Sequence, residues 1–290
     1  MLSLCDQEFW VNVQQATLAN PQAKLYAIIQ PALVSNLTSW IQPGDANVFD
    51  ETREADLAQY SAYVVLTDFE KLRTESSLRA AAIKRAAVWW CLSAHSPTQL
   101  ARHLYDMSQF EDMDGAGYLL RCWDGMVMRQ LPLVLHREQW AALMKPMVQM
   151  WLPTKDGSWL TAQPAAQTEG EQGDLSPKQD LPNKLDDQQM HALMDVAETG
   201  QVLGFVRERM PQEVVTHDEY TLFDWANRAR FRAAQAGYAS TEAAQVYLAA
   251  YVQLGLFDED PEVVNALKNG CTAGLSVADA IGQALKRYSV

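Results

Sequence analysis

YLLRCWDGMVMRQLPLVL, residues 118–135, threads Arg121, Asp124 and Arg129 through an otherwise apolar, aromatic-rich run. An ionised side chain inside a packed layer is costly unless it is paired or hydrogen-bonded. These three are therefore either mutually satisfied or presented to something outside the domain. The first part of the run, Tyr118–Trp123, reads as a strand, and three upstream runs share its apolar, β-branched and aromatic character: Leu25–Gln30, Ala62–Thr67 and Ala87–Ser93. Between the last two strands of this set, Ser96 is placed to cap a helix with Pro97 in its first turn, and Leu100, Leu104 and Met107 mark one face. A short helix is expected at Glu138–Lys145, between the breaks at Pro132 and Pro146. Buried strands separated by helices predict an α/β (α+β) N-terminal domain with a mixed buried sheet flanked by helices.

Composition changes after Trp159. The stretch TAQPAAQTEGEQGDLSPKQDLPNK, Thr161–Lys184, is almost empty of large apolar residues and cannot offset its own ordering entropy. The expected organisation is an α/β domain over residues 1–160, a flexible linker over 161–185 and a helical domain over 186–290. In the last of these, Asp186 with Gln189 forms a capping-box pattern, and Met190, Leu193, Met194 and Ala197 follow at helical spacing as the inward face. Thr216 with Glu219 repeats the box before Leu222, Ala226 and Ala229, and that helix stops at Gly237. Ser240 caps a helix with Val246, Ala250 and Leu254 inward. Asp260-Pro261 starts another that ends near Gly270. Ser276 with Asp279 opens the last, with Val277, Ile281 and Leu285 inward and Lys286 and Arg287 at its C-terminal end. Five short capped helices predict a small all-α bundle.

The 290 residues are 48% hydrophobic, ample for a core, and 36 acidic against 23 basic residues give a net charge of −13. That balance disfavours nucleic acid and anionic membrane as partners. Cys5, Cys91, Cys122 and Cys271 are scattered without metal-ligand spacing and are expected as free thiols. The N-terminus lacks a basic region before its apolar residues, and no run approaches the roughly 18 apolar residues of a membrane span, so a cytoplasmic protein is expected.

No motif specifies a reaction, a metal or a cofactor. His95, His103 and Asp106 lie close enough in sequence for a hydrolytic site to be drawn, but His103 reads better as a solvent-facing or capping residue on its helix. Cys91 and Cys122 read as core thiols without an adjacent base. The charged run from Asp68, DFEKLRTES, reads as a solvated loop or face. Trp89 and Trp90, adjacent on a strand, must point to opposite sides. Either both are packed inside, or one meets a partner as an interface anchor. Trp89, Trp90, Trp123 and Arg129 are the partner-binding candidates. Arg121 and Asp124 are expected to pair with each other or with backbone, and with Leu131 and Pro132 to fix the turn.

In order, LYAIIQPAL (25–33), SAYVVLTD (61–68), AAVWWCLSA (86–94), PTQLARHLYDM (97–107) and YLLRCWDGMVMRQLP (118–132) resemble the successive blocks of the domain-of-unknown-function family 4123. The last block is similar to that family's Phe-Arg-Phe-Tyr-Asp-Pro-Arg-Val-Leu pattern followed by Leu-Pro. Arg121, Trp123, Asp124 and Leu131-Pro132 fall on matching positions. Gly125 stands where the family usually has proline, Met126 replaces an arginine, and Gln30 replaces a common acidic residue. The resemblance spans roughly Lys24–Trp151, and residues 237–263 look like the helical tail found in the same secretion context. It implies a type VI secretion adaptor that binds a toxic effector and helps load it onto a VgrG-type spike protein, with no catalysis of its own. An immunity-type inhibitor of a neighbouring toxin, favoured by the acidic surface, and a hydrolase are the alternatives.

Overall fold

Val88–Ser93 carries no residue that prefers water except its last, and the strand it forms is buried along its whole length. It lies inside a six-stranded sheet, in a computed structural model that describes residues 4–34, 37–67, 76–154, 158–163 and 184–286. The chain divides into two units, Met1–Ala192 and Leu193–Val290.

The first unit contains, in chain order, α1 (Leu4–Ala19), β1 (Lys24–Ile29), β2 (Ala46–Asn47), β3 (Tyr63–Leu66), α2 (Ser76–Arg85), β4 (Val88–Ser93), α3 (Pro97–Asp106), β5 (Gln109–Glu111), β6 (Gly117–Leu119), α4 (Gly125–Met128), α5 (Leu131–Val134), α6 (Arg137–Met144), β7 (Gln149–Pro153) and β8 (Trp159–Ala162). The large sheet runs β2-β3-β1-β4-β7-β8, and β5-β6 form a separate hairpin. The α+β class holds, but every ladder of the large sheet is antiparallel, where a mixed sheet was expected. Continuous apolar strands signal only that both faces are covered, and an antiparallel sheet with helices on both sides satisfies that equally. On one face Phe9, Trp10 and Val13 of α1 and Leu78 and Ala82 of α2 join Leu25, Ala27, Ile29, Trp90, Leu92 and Trp151 in one cluster. Against the other, α3 packs on β2 and β3.

Adjacent indoles use the strand's alternation. Trp90 sits opposite Trp151 in the β4–β7 register, within reach of Phe9 and of Trp159 from β8. Trp89 points to the opposite face, and both are 0% exposed. Each buried indole removes about 150–250 Å² from water, about 4–6 kcal/mol at about 25 cal/mol/Å² as an upper bound.

Helix α3 begins as expected, with Ser96 Oγ accepting from the Gln99 N–H at 3.2 Å and Gln99 returning a bond to the Ser96 N–H at 2.9 Å. The run Tyr118–Trp123 does not form a central strand. Only Gly117–Leu119 is extended, as the exposed half of the hairpin, and the chain then turns through Arg121–Trp123 into α4. The run from Asp68 lies, up to Glu75, outside the described residues.

The expected linker 161–185 begins and ends inside the first unit. Thr161 and Ala162 belong to β8, while Lys184 bridges Glu111 and the Leu185 N–H donates to the Glu111 carbonyl at 2.8 Å. Residues 164–183 lie outside the described residues. The boundary between units falls instead within α7 (Asp187–Arg209).

The second unit continues from α7 through α8 (Pro211–Val214), α9 (Glu219–Gln235), α10 (Thr241–Leu254), α11 (Pro261–Thr272) and α12 (Val277–Lys286). It is all-helical, as read. Asp186 and Gln189 form the predicted box, Ser240 caps α10, Asp260 caps α11, and the Asp279 N–H donates to Ser276 Oγ. Arg287 lies outside the described residues.

Three details differ. Asp218, not Thr216, caps α9 by accepting from the Thr221 N–H at 2.8 Å, and the Thr216 hydroxyl donates to the Glu213 carbonyl instead. In α7 the stripe Met190, Leu193, Met194 and Ala197 is not the buried face: Met194 is 52% exposed, and Val202, Leu203 and Val206 go inward. Arg230 of α9 reaches Asp195, Glu198 and Thr199, so the ion-pairing side of α7 packs against α9. In α10, Tyr247, Leu248 and Tyr251 are the deepest residues, and Leu254 is exposed.

Asp258 anchors this unit from the turn Phe257–Glu259, almost fully buried. It accepts from Arg228 at 2.8 Å and from the Tyr251 hydroxyl at 2.6 Å, with Arg232 Nε at 3.2 Å. Burial and the Asp258 carboxylate push the Tyr251 phenol well above its ordinary pKa, which keeps it a donor. Asp258→Ala leaves two arginines and a phenol without their acceptor. The expected loss is about 3 kcal/mol, the lower end for a broken buried ion pair because both arginines retain access to water. Thermal or urea unfolding of the full chain measures it, and an unchanged transition would show the network to be energetically idle.

Candidate partner-binding site

The turn after β6 is built by one carboxylate. Asp124 caps α4, accepting from the Met126 N–H at 2.9 Å and more weakly from Val127 at 3.4 Å. Its other oxygen lies 3.2 Å from Arg121 Nη2, and its own N–H donates to the Arg121 carbonyl at 2.8 Å. Arg121 is half in water, so the pair is not a sealed ion pair. The energetic weight of Asp124 is therefore that of a helix cap.

Trp123 locks this turn to the sheet. Its carbonyl accepts from the Trp89 indole N–H at 2.9 Å, and its ring meets Phe49 edge-on with centroids 5.2 Å apart. Next to it, Gly125 passes against the Ala86 carbonyl so closely that an added Cβ has no room. Ala86 itself has φ of 49°, left-handed backbone at the end of α2, where glycine is the usual residue. Its N–H reaches the Ala82 carbonyl at 3.0 Å, and the Ala87 N–H reaches Ala81 at 3.4 Å. Where the resembled pattern has proline, this chain has the one residue that permits the crossing. Leu131 is fully buried, and Pro132 lies exposed in the first turn of α5.

Trp89, Trp90 and Trp123 are all 0% exposed, so their rings meet core neighbours and offer a partner no surface. Arg129 is half-buried, with its guanidinium 4.0 Å from the Met126 sulfur. What the region does expose is Leu133 (84%), Tyr118 (44%) and Leu119 (43%). Beside the last two lies a cleft of about 390 Å³ lined by Arg53, Glu54, Gln109, Phe110, Glu111, Gly117, Tyr118 and Leu119. Glu54 accepts from the Tyr105 hydroxyl at 2.7 Å and pairs with Arg53, and these bonds hold its carboxyl below the usual range. The sequence signal for this surface is Gly117 immediately before Tyr118, one residue ahead of the strand expected over Tyr118–Trp123.

Two members of the imagined hydrolytic trio, His103 and Asp106, make side-chain contacts of their own. His103 Nε2 lies 3.0 Å from the Leu143 carbonyl, which can only accept, so the ring cross-links α3 to α6 rather than facing solvent; burial lowers its pKa. Asp106 pairs with Arg102 at 3.1 Å, and the His95 carbonyl accepts from the Tyr26 hydroxyl at 2.6 Å. Burial raises both core thiols, Cys122 to about 12. Among the described residues no group of three His, Cys, Asp or Glu is arranged to hold a metal, and no helix is long and apolar enough to cross a membrane.

Asp124→Ala is expected to cost about 1 kcal/mol, the ordinary value of an N-cap. Gly125→Ala is expected to cost more, about 1–3 kcal/mol, because backbone must move to admit the methyl group. Urea unfolding of the two variants tests this order, and a reversed order would mean that the Arg121 pair, not the close crossing, holds the turn.

The family described as domain of unknown function (DUF4123) matches residues 25–142, the stretch from β1 into α6 that contains the hairpin, the Asp124 turn and β4. No curated protein and no solved structure matches the chain.

Proposed function

We propose that this chain, whose residues 25–142 form a DUF4123 domain, is a type VI secretion adaptor or effector chaperone. In this reading it binds a cognate toxic effector in the bacterial cytoplasm and helps load it onto the VgrG-type spike, without turnover of its own. The match over residues 25–142 carries the reading, because the resembled blocks lie there in order and the last of them forms the turn that Asp124 caps and Trp89 holds.

Geometry supports a binding role. The family's arginine, aromatic and aspartate are consumed in fixing a turn, and the surface beside that turn exposes Tyr118, Leu119 and Leu133. His103 and Asp106, the residues a hydrolase would need, hold a helix pair and an arginine. An excess of 13 negative charges suits a partner with basic segments and not nucleic acid. The same acidity suits an immunity protein, so the decisive experiment separates delivery from protection.

Deleting the gene is expected to abolish delivery of the effector encoded beside it while leaving the producing cell resistant. Co-expression should yield a stable complex, retained by the His103→Ala and Asp106→Ala variants. Sensitivity of the deletion strain to its own toxin, with delivery intact, would replace this reading by the immunity one.

A further inference from the structure

The hairpin β5–β6 has two edges, and one is already taken by an added segment. Lys184 bridges Glu111 in parallel, with the Leu185 N–H donating to the Glu111 carbonyl at 2.8 Å. The other edge is β6. Its register pairs Gln109 with Leu119, Phe110 with Tyr118 and Glu111 with Gly117. The flanking bonds, Leu120 N–H to the Ser108 carbonyl at 2.7 Å and Asp112 N–H to the Ala116 carbonyl at 3.0 Å, set the phase of the ladder. Alternation then turns the N–H and C=O groups of Gly117 and Leu119 away from β5. All three residues of β6 are exposed.

The cleft of about 390 Å³ is lined by residues of both strands of this hairpin, Gly117 and Leu119 among them. A Cβ built at Gly117 meets nothing within 4 Å among the described residues, so their packing does not demand a glycine here, and its backbone conformation is not left-handed. Glycine inside a strand is otherwise unfavourable and often marks close approach by another backbone. The rim is acidic: Glu54 and Glu111 line the cleft against Arg53, which is itself paired with Glu54, and Asp112 holds the Tyr118 hydroxyl at 3.0 Å.

We infer that the open edge Gly117–Leu119 and the cleft beside it receive an extended, basic segment of a partner protein as an added strand. The added strand takes its hydrogen bonds from the outward backbone groups of Gly117 and Leu119, lies close over Gly117, and sets basic side chains against Glu111 and Glu54. The inference rests on the adaptor reading for the partner's identity, since an effector would supply the segment, but the surface is testable without an effector.

The probe is a synthetic heptapeptide of alternating lysine and valine, titrated into the full chain and read by backbone amide shifts, with a glutamate-valine peptide as control. The expected result is a lysine-dependent shift centred on Gly117 and Leu119. Leu119→Pro removes an outward N–H without removing a ladder bond, and should weaken the peptide at least tenfold with unchanged melting. Gly117→Val fills the cleft where open space lies, and should abolish binding while leaving stability equal or higher. Shifts centred elsewhere, no binding to the wild-type chain, or equal binding to both variants would overturn the inference. A cognate effector that binds wild type and Leu119→Pro equally would overturn it alone and leave the adaptor reading intact. A chain that binds the peptide at this edge but is dispensable for delivery would overturn the adaptor reading alone.

Discussion

The hydrogen bond from the Trp89 indole to the Trp123 carbonyl joins the inner strand β4 to the turn that gives the domain its signature. Everything around it is arranged so that this bond can form. β4 lies between β1 and β7; the β1 ladder pairs Trp89 with Ile28, and the β7 ladder begins at the adjacent Trp90. Asp124 fixes the turn from the other direction by capping α4. The two meet only because Gly125 lets backbone cross the Ala86 carbonyl. A buried indole N–H without an acceptor costs about 1–3 kcal/mol, so the turn cannot drift from the strand without penalty. The companion on the other face is held differently. Trp90 has no hydrogen-bond acceptor for its N–H among the described residues, and its position comes from packing against Phe9 and Trp159.

Local signals reported local structure faithfully. Strands β1, β3 and β4 and the caps Ser96, Asp186, Ser240 and Asp260 were legible because each depends on its own few residues. Strand direction was not legible, because burial on both faces looks the same in parallel and antiparallel sheets. The apolar stripe on α7 misled for a related reason: which side of a helix is buried is decided by its neighbour, here by Arg230 pairing with Asp195 and Glu198. For the candidate site, the family's residues could be named but their roles could not. Three tryptophans with the composition of an interface are core, and a glycine that looked like a departure from the pattern makes the turn possible.

The buried turn of this domain is distinct from the side chains it exposes. Of the residues that carry the resembled pattern, Trp123 and Leu131 are buried and Asp124 caps α4, while Arg121 and Pro132 reach solvent. What lies outside, the hairpin edge and the exposed side chains of Tyr118, Leu119 and Leu133, is under no such constraint from the core. In the second unit the corresponding fixed point is Asp258, which gathers Arg228, Arg232 and Tyr251 from two helices.

The bridge between Glu111 and Lys184 alters what the low-complexity stretch is able to do. Because β8 enters it and Lys184 leaves it within the same unit, the stretch is a closed excursion and not a tether. Its length carries only a loop-closure cost, about 0.6 kcal/mol for each doubling. A nick there would leave β8 on one side and Lys184–Leu185 on the other hydrogen-bonded within the first unit.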